Sequence, residues 1–284
     1  MIRFESGDLR LTILSAGTLW LDGGAMFGVV PKALWAKLRP PDERNRIRLG
    51  MNVLLVEDGV KRTLIDNGAG AKWDAKQRDI YGFTLRSPEE ILRPAGLTPA
   101  DIDVVLNSHL HFDHAGGNTE LDAAGRVVPS FPNARYVVQR GELEFARSDN
   151  ERIRASYIRD NFEPVAAAGM FDVVEGDARV DDRIDVLLAP GHTPFLHVPV
   201  IRTGEHTIAF LADLVPTASH VPFPYIMGYD LEPLRTLESK KRILGAAARE
   251  GWRLVFEHDD DTPLAVLHDD GGGKLRAVSC AVQV

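Results

Sequence analysis

Apolar positions along this chain gather in short runs broken by Gly, Pro, Asp and Asn, the pattern of strands joined by turns rather than of long helices. Residues 9–21 alternate apolar and polar side chains and read as a strand, and residues 52–57 pass through the turn Asp58-Gly59 into a second strand at 63–66. Ser87-Pro88-Glu89-Glu90 is a capping box with proline in the first helical position, Gly96 ends that helix, and Thr98-Pro99 opens a shorter turn. Residues 103–107, 134–138, 171–174, 184–188 and 253–258 read as further strands. Residues 197–201 and 207–213 read as a hairpin across Thr203-Gly204-Glu205, and 264–268 and 274–280 as a closing hairpin through 269–273. Helices are predicted over roughly 141–160 and over 233–248, the second with Leu234, Leu237, Leu244 and Ala248 on one face. No repeat, linker or low-complexity tract interrupts the pattern, so residues 1–284 read as a single domain with its strands and helices in two successive sets.

Several of these runs end in the same kind of side chain. The 103–107 strand delivers Ser108-His109-Leu110-His111-Phe112-Asp113-His114-Ala115-Gly116-Gly117, three imidazoles and a carboxylate in close succession. Imidazole nitrogen and carboxylate oxygen together suit zinc, iron or manganese better than calcium or magnesium. With Leu110 in a core, His109 and His111 project to one side while Asp113 and His114 reach a second position, which favours two adjacent metals over one. The Gly-Gly step lets the backbone turn close beside such a site. His192, Asp213 and His258 likewise follow apolar runs, as ligands at the strand ends of an open α/β sheet do.

Composition narrows the field. The chain has 284 residues, 44% of them hydrophobic and 26% charged, as in an ordinary globular protein with a sizeable core. Its formal net charge of -8 disfavours a nucleic-acid partner, because phosphate binding needs a basic surface. Cys280 is the single cysteine, which excludes an intrachain disulfide and points to buried packing. The first residues lack the apolar core of a signal peptide and no run is long enough to span a bilayer, so a cytoplasmic protein with no membrane partner is expected. No Gly-x-Ser-x-Gly elbow is present.

His-x-His-x-Asp-His, Gly191-His192-Thr193-Pro194, the later Asp213 and a final Phe256-Glu257-His258-Asp259 resemble the ordered motifs of the metallo-β-lactamase-fold hydrolases, over nearly the whole chain from Leu64 to His258. The resemblance implies an α/β fold of the αββα sandwich type, two mixed β-sheets flanked by helices. It implies that His109, His111 and His192 hold one metal, that Asp113, His114 and His258 hold a second, and that Asp213 bridges them. The metals would be two zinc ions, with manganese or iron as alternatives. Asp66 would orient ligands from behind or simply cap a turn. Asp113 is the candidate to orient the hydroxide or to pass its proton to the leaving group.

The wording around His109 is particularly similar to quorum-quenching acyl-homoserine lactonases and related esterases. Those enzymes typically carry a tyrosine three residues after the bridging aspartate, where this chain has Pro216, and their second Gly-His-Thr-Pro-Gly-His histidine falls here one place late, at His197. Apolar stretches at 23–38 and 221–227 suggest a small, partly hydrophobic substrate, with Phe27, His220 and Tyr225 as candidate lining residues. The same stretches would also serve a homodimer contact. The expectation is a dinuclear zinc hydrolase of an ester, lactone or similar carbonyl bond. A mononuclear iron persulfide dioxygenase, a glutathione thioester hydrolase, a phosphotriesterase and a non-catalytic binding protein on the same scaffold are the alternatives.

Overall fold

Many of the apolar runs are nearly continuous because their strands are buried on both faces. Residues 1–280 are described in the structure, a computed structural model; residues 281–284 of the single-domain reading lie outside the described residues. One mixed sheet runs in the order Ile2–Ser6, Leu9–Asp22, Arg46–Glu57, Arg62–Ile65, Val104–Leu106, Arg135–Gln139, Phe171–Val174, with the short strand Thr84–Leu85 paired to Leu9–Asp22. A second large sheet runs Ala178–Arg179, Ile184–Leu188, His197–Arg202, Thr207–Phe210, Arg253–Val255, Leu264–Asp269, Leu275–Ser279, and Thr119–Leu121 pairs with Val127–Pro129 in a separate ribbon.

Side chains that alternate across each strand feed different cores. Leu54, Val56, Ile65, Val104 and Leu106 face inward and meet Val186, Ile201, Ile208, Phe210 and Val255 of the opposite sheet. Their neighbours Val53, Leu55, Leu64 and Val105 face outward, against the helix Pro88–Leu92 and the segment around Phe27 and Trp35. Ala209 and Leu254 face outward on the other side, against the helix Pro233–Glu250. The period of two thus yields the expected αββα layering.

Strand direction places the site. Arg62–Ile65, Val104–Leu106 and Arg135–Gln139 are mutually parallel. Thr207–Phe210 is parallel to Arg253–Val255, and two antiparallel steps give Ile184–Leu188 the same direction. The segments that follow these strands therefore emerge together along one edge of the sandwich.

Two predicted elements differ. The helix expected over 141–160 is only Arg140–Ala146. Beyond it Ser148 Oγ donates to the Phe145 carbonyl at 2.7 Å and Asn150 Oδ1 accepts from Arg152 N at 2.9 Å, local bonds that compete with helix continuation. The helix Pro233–Glu250 is present, but its buried face is Thr236, Ser239, Lys240, Ile243, Leu244 and Ala247, with Leu234 77% exposed. Polar residues occupy that face because it meets backbone carbonyls of loops: Ser239 Oγ donates to the Pro190 carbonyl at 2.8 Å, and Lys240 does the same farther along.

Candidate metal centre

Five chain segments meet at the shared edge. Asp66 follows Arg62–Ile65 at a φ of 52°, and Ala212, which turns the chain into Asp213, has a φ of 44°. Both are left-handed conformations that cost an L-residue free energy, and both lie beside the site. Ser108 to His114 follow Val104–Leu106, with Leu110 fully buried and its N–H bonded to Glu142. Gly116 and Gly117 are needed for close approach, since a Cβ at either would fall 2.3 Å from the Ala69 carbonyl oxygen or 2.5 Å from that of Asn67.

The side chains fall into groups able to hold a cation. His109, His111, His192 and Asp213 bring ligand atoms within 4.8 Å of one another, as do Asp113, His114 and His258. Asp213 stands between the groups: its Oδ2 is 3.0 Å from His192 Nε2 and 3.5 Å from His114 Nε2, and its Oδ1 is 3.1 Å from His258 Nε2. Asp113 lies 3.7 Å from His258 Nε2 and 4.0 Å from His114 Nε2. All seven are buried.

Hydrogen bonds behind the rings settle which nitrogen faces the centre. Ser108 Oγ donates to Asp66 Oδ2 at 2.6 Å, so it accepts from His109 Nδ1 at 3.1 Å and leaves the His109 Nε2 lone pair inward. That Nε2 is buried with no partner among the described residues. His258 Nδ1 donates to the Gly50 carbonyl at 2.8 Å, and His192 Nδ1 meets Asp230 Oδ1 at 2.9 Å. His114 Nδ1 lies 3.0 Å from Asp66 Oδ2 and 2.7 Å from Glu257 Oε2. His111 instead turns Nδ1 inward, 3.0 Å from His192 Nε2. Two ring nitrogens at that distance repel unless a proton or a metal ion sits between them. The orphaned His109 Nε2, this nitrogen pair and the anchored outer nitrogens fit a cation held at the centre.

Protonation follows the same layout. Burial and the neighbouring imidazoles hold His109 and His111 well below the usual histidine range. Burial also disfavours charge on His192 and His258, but the Asp213 carboxylate outweighs it and pushes them up to about 10 and about 9. Asp213 itself is held well below the usual carboxylate range, since the imidazoles of His192, His114 and His258 overcome its burial. Burial drives Glu257 well above the ordinary range although His114 opposes it.

A cavity of about 510 Å³ opens onto Asp113, Asp213, His111, His192 and His258. Leu21, Met26, Tyr81, Phe112, Ile153, Met227, Tyr229 and Leu231 line it, with Arg152 beside them. Of the expected lining residues, Phe27, His220 and Tyr225 are not on this surface. Phe27 is fully buried, stacked 4.5 Å from the His220 ring and 5.6 Å from Trp35, with Tyr225 edge-on at 6.2 Å. His220 Nε2 donates to the Met26 carbonyl at 2.9 Å and its Nδ1 accepts from Thr217 Oγ1 at 2.8 Å, so both nitrogens are consumed by the scaffold. These aromatics back the wall, and their neighbours Met26 and Met227 face the cavity.

Sequence reasoning passed over Asp230, Glu257, Glu142, Tyr81 and Tyr229. Glu142, fully buried, accepts from Leu110 N at 3.1 Å and Tyr157 Oη at 2.7 Å on one oxygen and from Thr193 Oγ1 at 2.7 Å on the other. It thereby ties the His109 loop to the His192 loop. Glu257 alone carried a signal, as an acidic residue at the end of an apolar strand directly before His258.

A family model of the metallo-beta-lactamase superfamily matches residues 47–258, a span that contains Asp66 and all seven clustered side chains. The N-acyl homoserine lactonase AttM of Azorhizobium caulinodans is 29% identical over 218 residues, 70% of this chain and 78% of that protein. An N-acyl homoserine lactonase of Bacillus cereus is 31% identical over 174 residues, 60% of either chain. Among solved structures, a probable metal-dependent hydrolase from Staphylococcus aureus superposes with a TM-score of 0.88 at 30% identity, covering 99% of this chain and 100% of that one. AidC, a dizinc quorum-quenching lactonase in complex with a product, superposes with a TM-score of 0.82 at 22% identity, covering 100% and 98%, a likeness of fold. With the layered architecture, the strand-end site and this match across most of its length, the chain belongs to the metallo-beta-lactamase superfamily.

Proposed function

We propose that this protein is a metal-dependent hydrolase that opens lactone or ester bonds in small, partly apolar substrates, using a pair of divalent metals. The observation that carries the reading is Asp213, placed between two buried ligand groups that border one apolar cavity. In this reading His109, His111 and His192 hold one ion, Asp113, His114 and His258 hold the other, and Asp213 joins them. The donor set suits zinc, with manganese or iron as alternatives. Such a pair, when bound, supplies a nucleophile at neutral pH and polarises the substrate carbonyl.

The chain's own residues supply the rest. Asp66 and Asp230 fix the ring orientations of His114 and His192. Asp113 borders the cavity and takes up the proton at its carboxylate, to return it to the departing alkoxide. No tyrosine stands at position 216, but Tyr81 and Tyr229 border the cavity. Phenols are protonated at neutral pH, and partial burial pushes that of Tyr81 further up, so both can donate to a carbonyl oxygen. The apolar walls hold the remainder of the substrate and exclude water. We take residues 1–284 as one domain, in keeping with the core shared by both sheets.

Kinship with the N-acyl homoserine lactonases supports a lactone substrate. Arg152 is the one Lys or Arg bordering the cavity among the described residues, a poor match for the two carboxylates of a glutathione thioester. The intact Asp113, His114 and His258 group speaks against a single iron. The test is metal content per chain by mass spectrometry, with turnover of lactones, aryl esters, thioesters and phosphotriesters in zinc, manganese and iron. Two metals per chain with lactone or ester turnover are expected; one iron with oxygen consumption would overturn the proposal.

A further inference from the structure

The helix Pro233–Glu250 buries a lysine completely. Lys240 Nζ donates to the carbonyls of His220 at 2.7 Å, Pro222 at 3.0 Å and Tyr225 at 2.8 Å, which uses all three ammonium protons. Lys240 forms no ion pair among the described residues, and Asp230, the carboxylate that pulls on its charge, is paired with His192 instead. A buried ammonium without a counter-charge is costly, so its presence calls for a reason. The reason lies in the acceptors: three carbonyl oxygens of one short segment converge on a point, where their dipoles would repel one another without a cation.

That segment backs the cavity wall. His220 reaches from it to the Met26 carbonyl, and just beyond it Gly228 N donates to the Ala25 carbonyl at 2.8 Å. Ala25 and Met26 border the cavity on one side of these ties, and Met227, Gly228 and Tyr229 on the other.

We propose that Lys240 is a positioning residue that fixes this wall and thereby sets how tightly the enzyme grips the apolar part of its substrate away from the bond it cleaves. The inference rests on the hydrolase reading. Lys240 touches none of the seven clustered side chains, so its influence falls on binding of the apolar chain and grows with chain length. A lysine that merely filled space would change all substrates alike. Charge state offers a second handle. Burial brings Lys240 down to about 7 against the pull of Asp230, and the His220 ring, held neutral by burial, is the other titratable group coupled to it. Once neutral, the amine has two protons for three carbonyls and turns a lone pair toward the third.

The test uses the metal-loaded full chain and Lys240→Met. With lactones or aryl esters of increasing acyl length, KM is expected to rise about tenfold for the long members, about twofold for the short ones, with kcat changed less than KM. Hydrogen exchange of the amides at 218–229 is expected to quicken while the sheets stay protected. In the wild type, protection of that segment is expected to fall between about pH 6 and about pH 9, the range spanned by Lys240 deprotonation. Equal KM changes along the series, or unchanged exchange at 218–229, overturn the proposal. If the wild type turns over no lactone or ester, the hydrolase reading fails and the exchange comparison alone decides the role of Lys240. If Lys240→Met does not fold, Lys240→Gln, which keeps a polar donor of shorter reach, is read by the same acyl-length series and the same exchange, and equal KM changes or unchanged exchange at 218–229 overturn the proposal.

Discussion

Asp230 Oδ1 lies 2.9 Å from His192 Nδ1, and this contact turns the other ring nitrogen toward Asp213. A carboxylate behind a ligating imidazole fixes its tautomer and raises its basicity. Asp230→Ala should therefore weaken metal binding about 10- to 100-fold while leaving the fold intact. Competition against a chromophoric chelator measures this; an unchanged affinity would mean that the ring is held by packing alone.

Asp213→Ala removes the carboxylate that stands between His192 on one side and His114 and His258 on the other. Metal occupancy and hydrolysis should fall together, read by elemental analysis and by turnover on the same preparation. Full activity in this variant would remove the bridging role.

Glu142 accepts three hydrogen bonds on two oxygens, and a glutamine that keeps its oxygen for Leu110 N and Tyr157 Oη turns an N–H toward Thr193 Oγ1, so that this hydroxyl must accept and its own proton loses its acceptor. Glu142→Gln should cost about 2–3 kcal/mol of stability, from a buried donor left unpaired. Urea denaturation checks the figure. Combination with Thr193→Val should be less than additive, because the two changes disrupt the same network.

His197 is buried with both ring nitrogens unpartnered among the described residues, and burial brings it down to about 4. Its folded pKa lies below the unfolded one, so between the two the unfolded chain binds more protons. Stability then falls as pH drops from about 6.5 toward 4, by up to about 3 kcal/mol for this group. His220, down at about 3, adds to the same acid limb. His197→Leu should fold at least as well at neutral pH and lose less on acidification. Denaturation at about pH 7 and about pH 4.5 compares them; identical acid limbs would show that His197 is not buried in its neutral form.

What was legible in the chain depended on how the information is stored. Strands such as 63–65 and 103–107 were readable because a residue buried on either face must be apolar, and the turn at Asp58-Gly59 because few residues accept its backbone angles. The metal-type residues stood out because imidazoles rarely cluster after strands. Asp230 and Glu142 did not stand out, since an isolated acidic residue in a loop or a charged helix is ordinarily solvated, and only folding brings either beside His192 or Thr193. The buried face of Pro233–Glu250 departs from the hydrophobic period for the converse reason: Lys240 and Ser239 face inward because loop carbonyls await them, which no such period encodes. Phe27, His220 and Tyr225, expected to line the cavity, stand behind its wall, because they pack on one another rather than on open space.

The centre also straddles the seam of the sandwich. Asp66 and the residues from His109 to His114 come from one sheet, His192, Asp213 and His258 from the other, and the Gly50 carbonyl reaches across to the last of these. An ion seated there would rivet both halves, so a chelator would do more than silence chemistry: it would unfasten one edge of the molecule, and heat should then part the halves sooner.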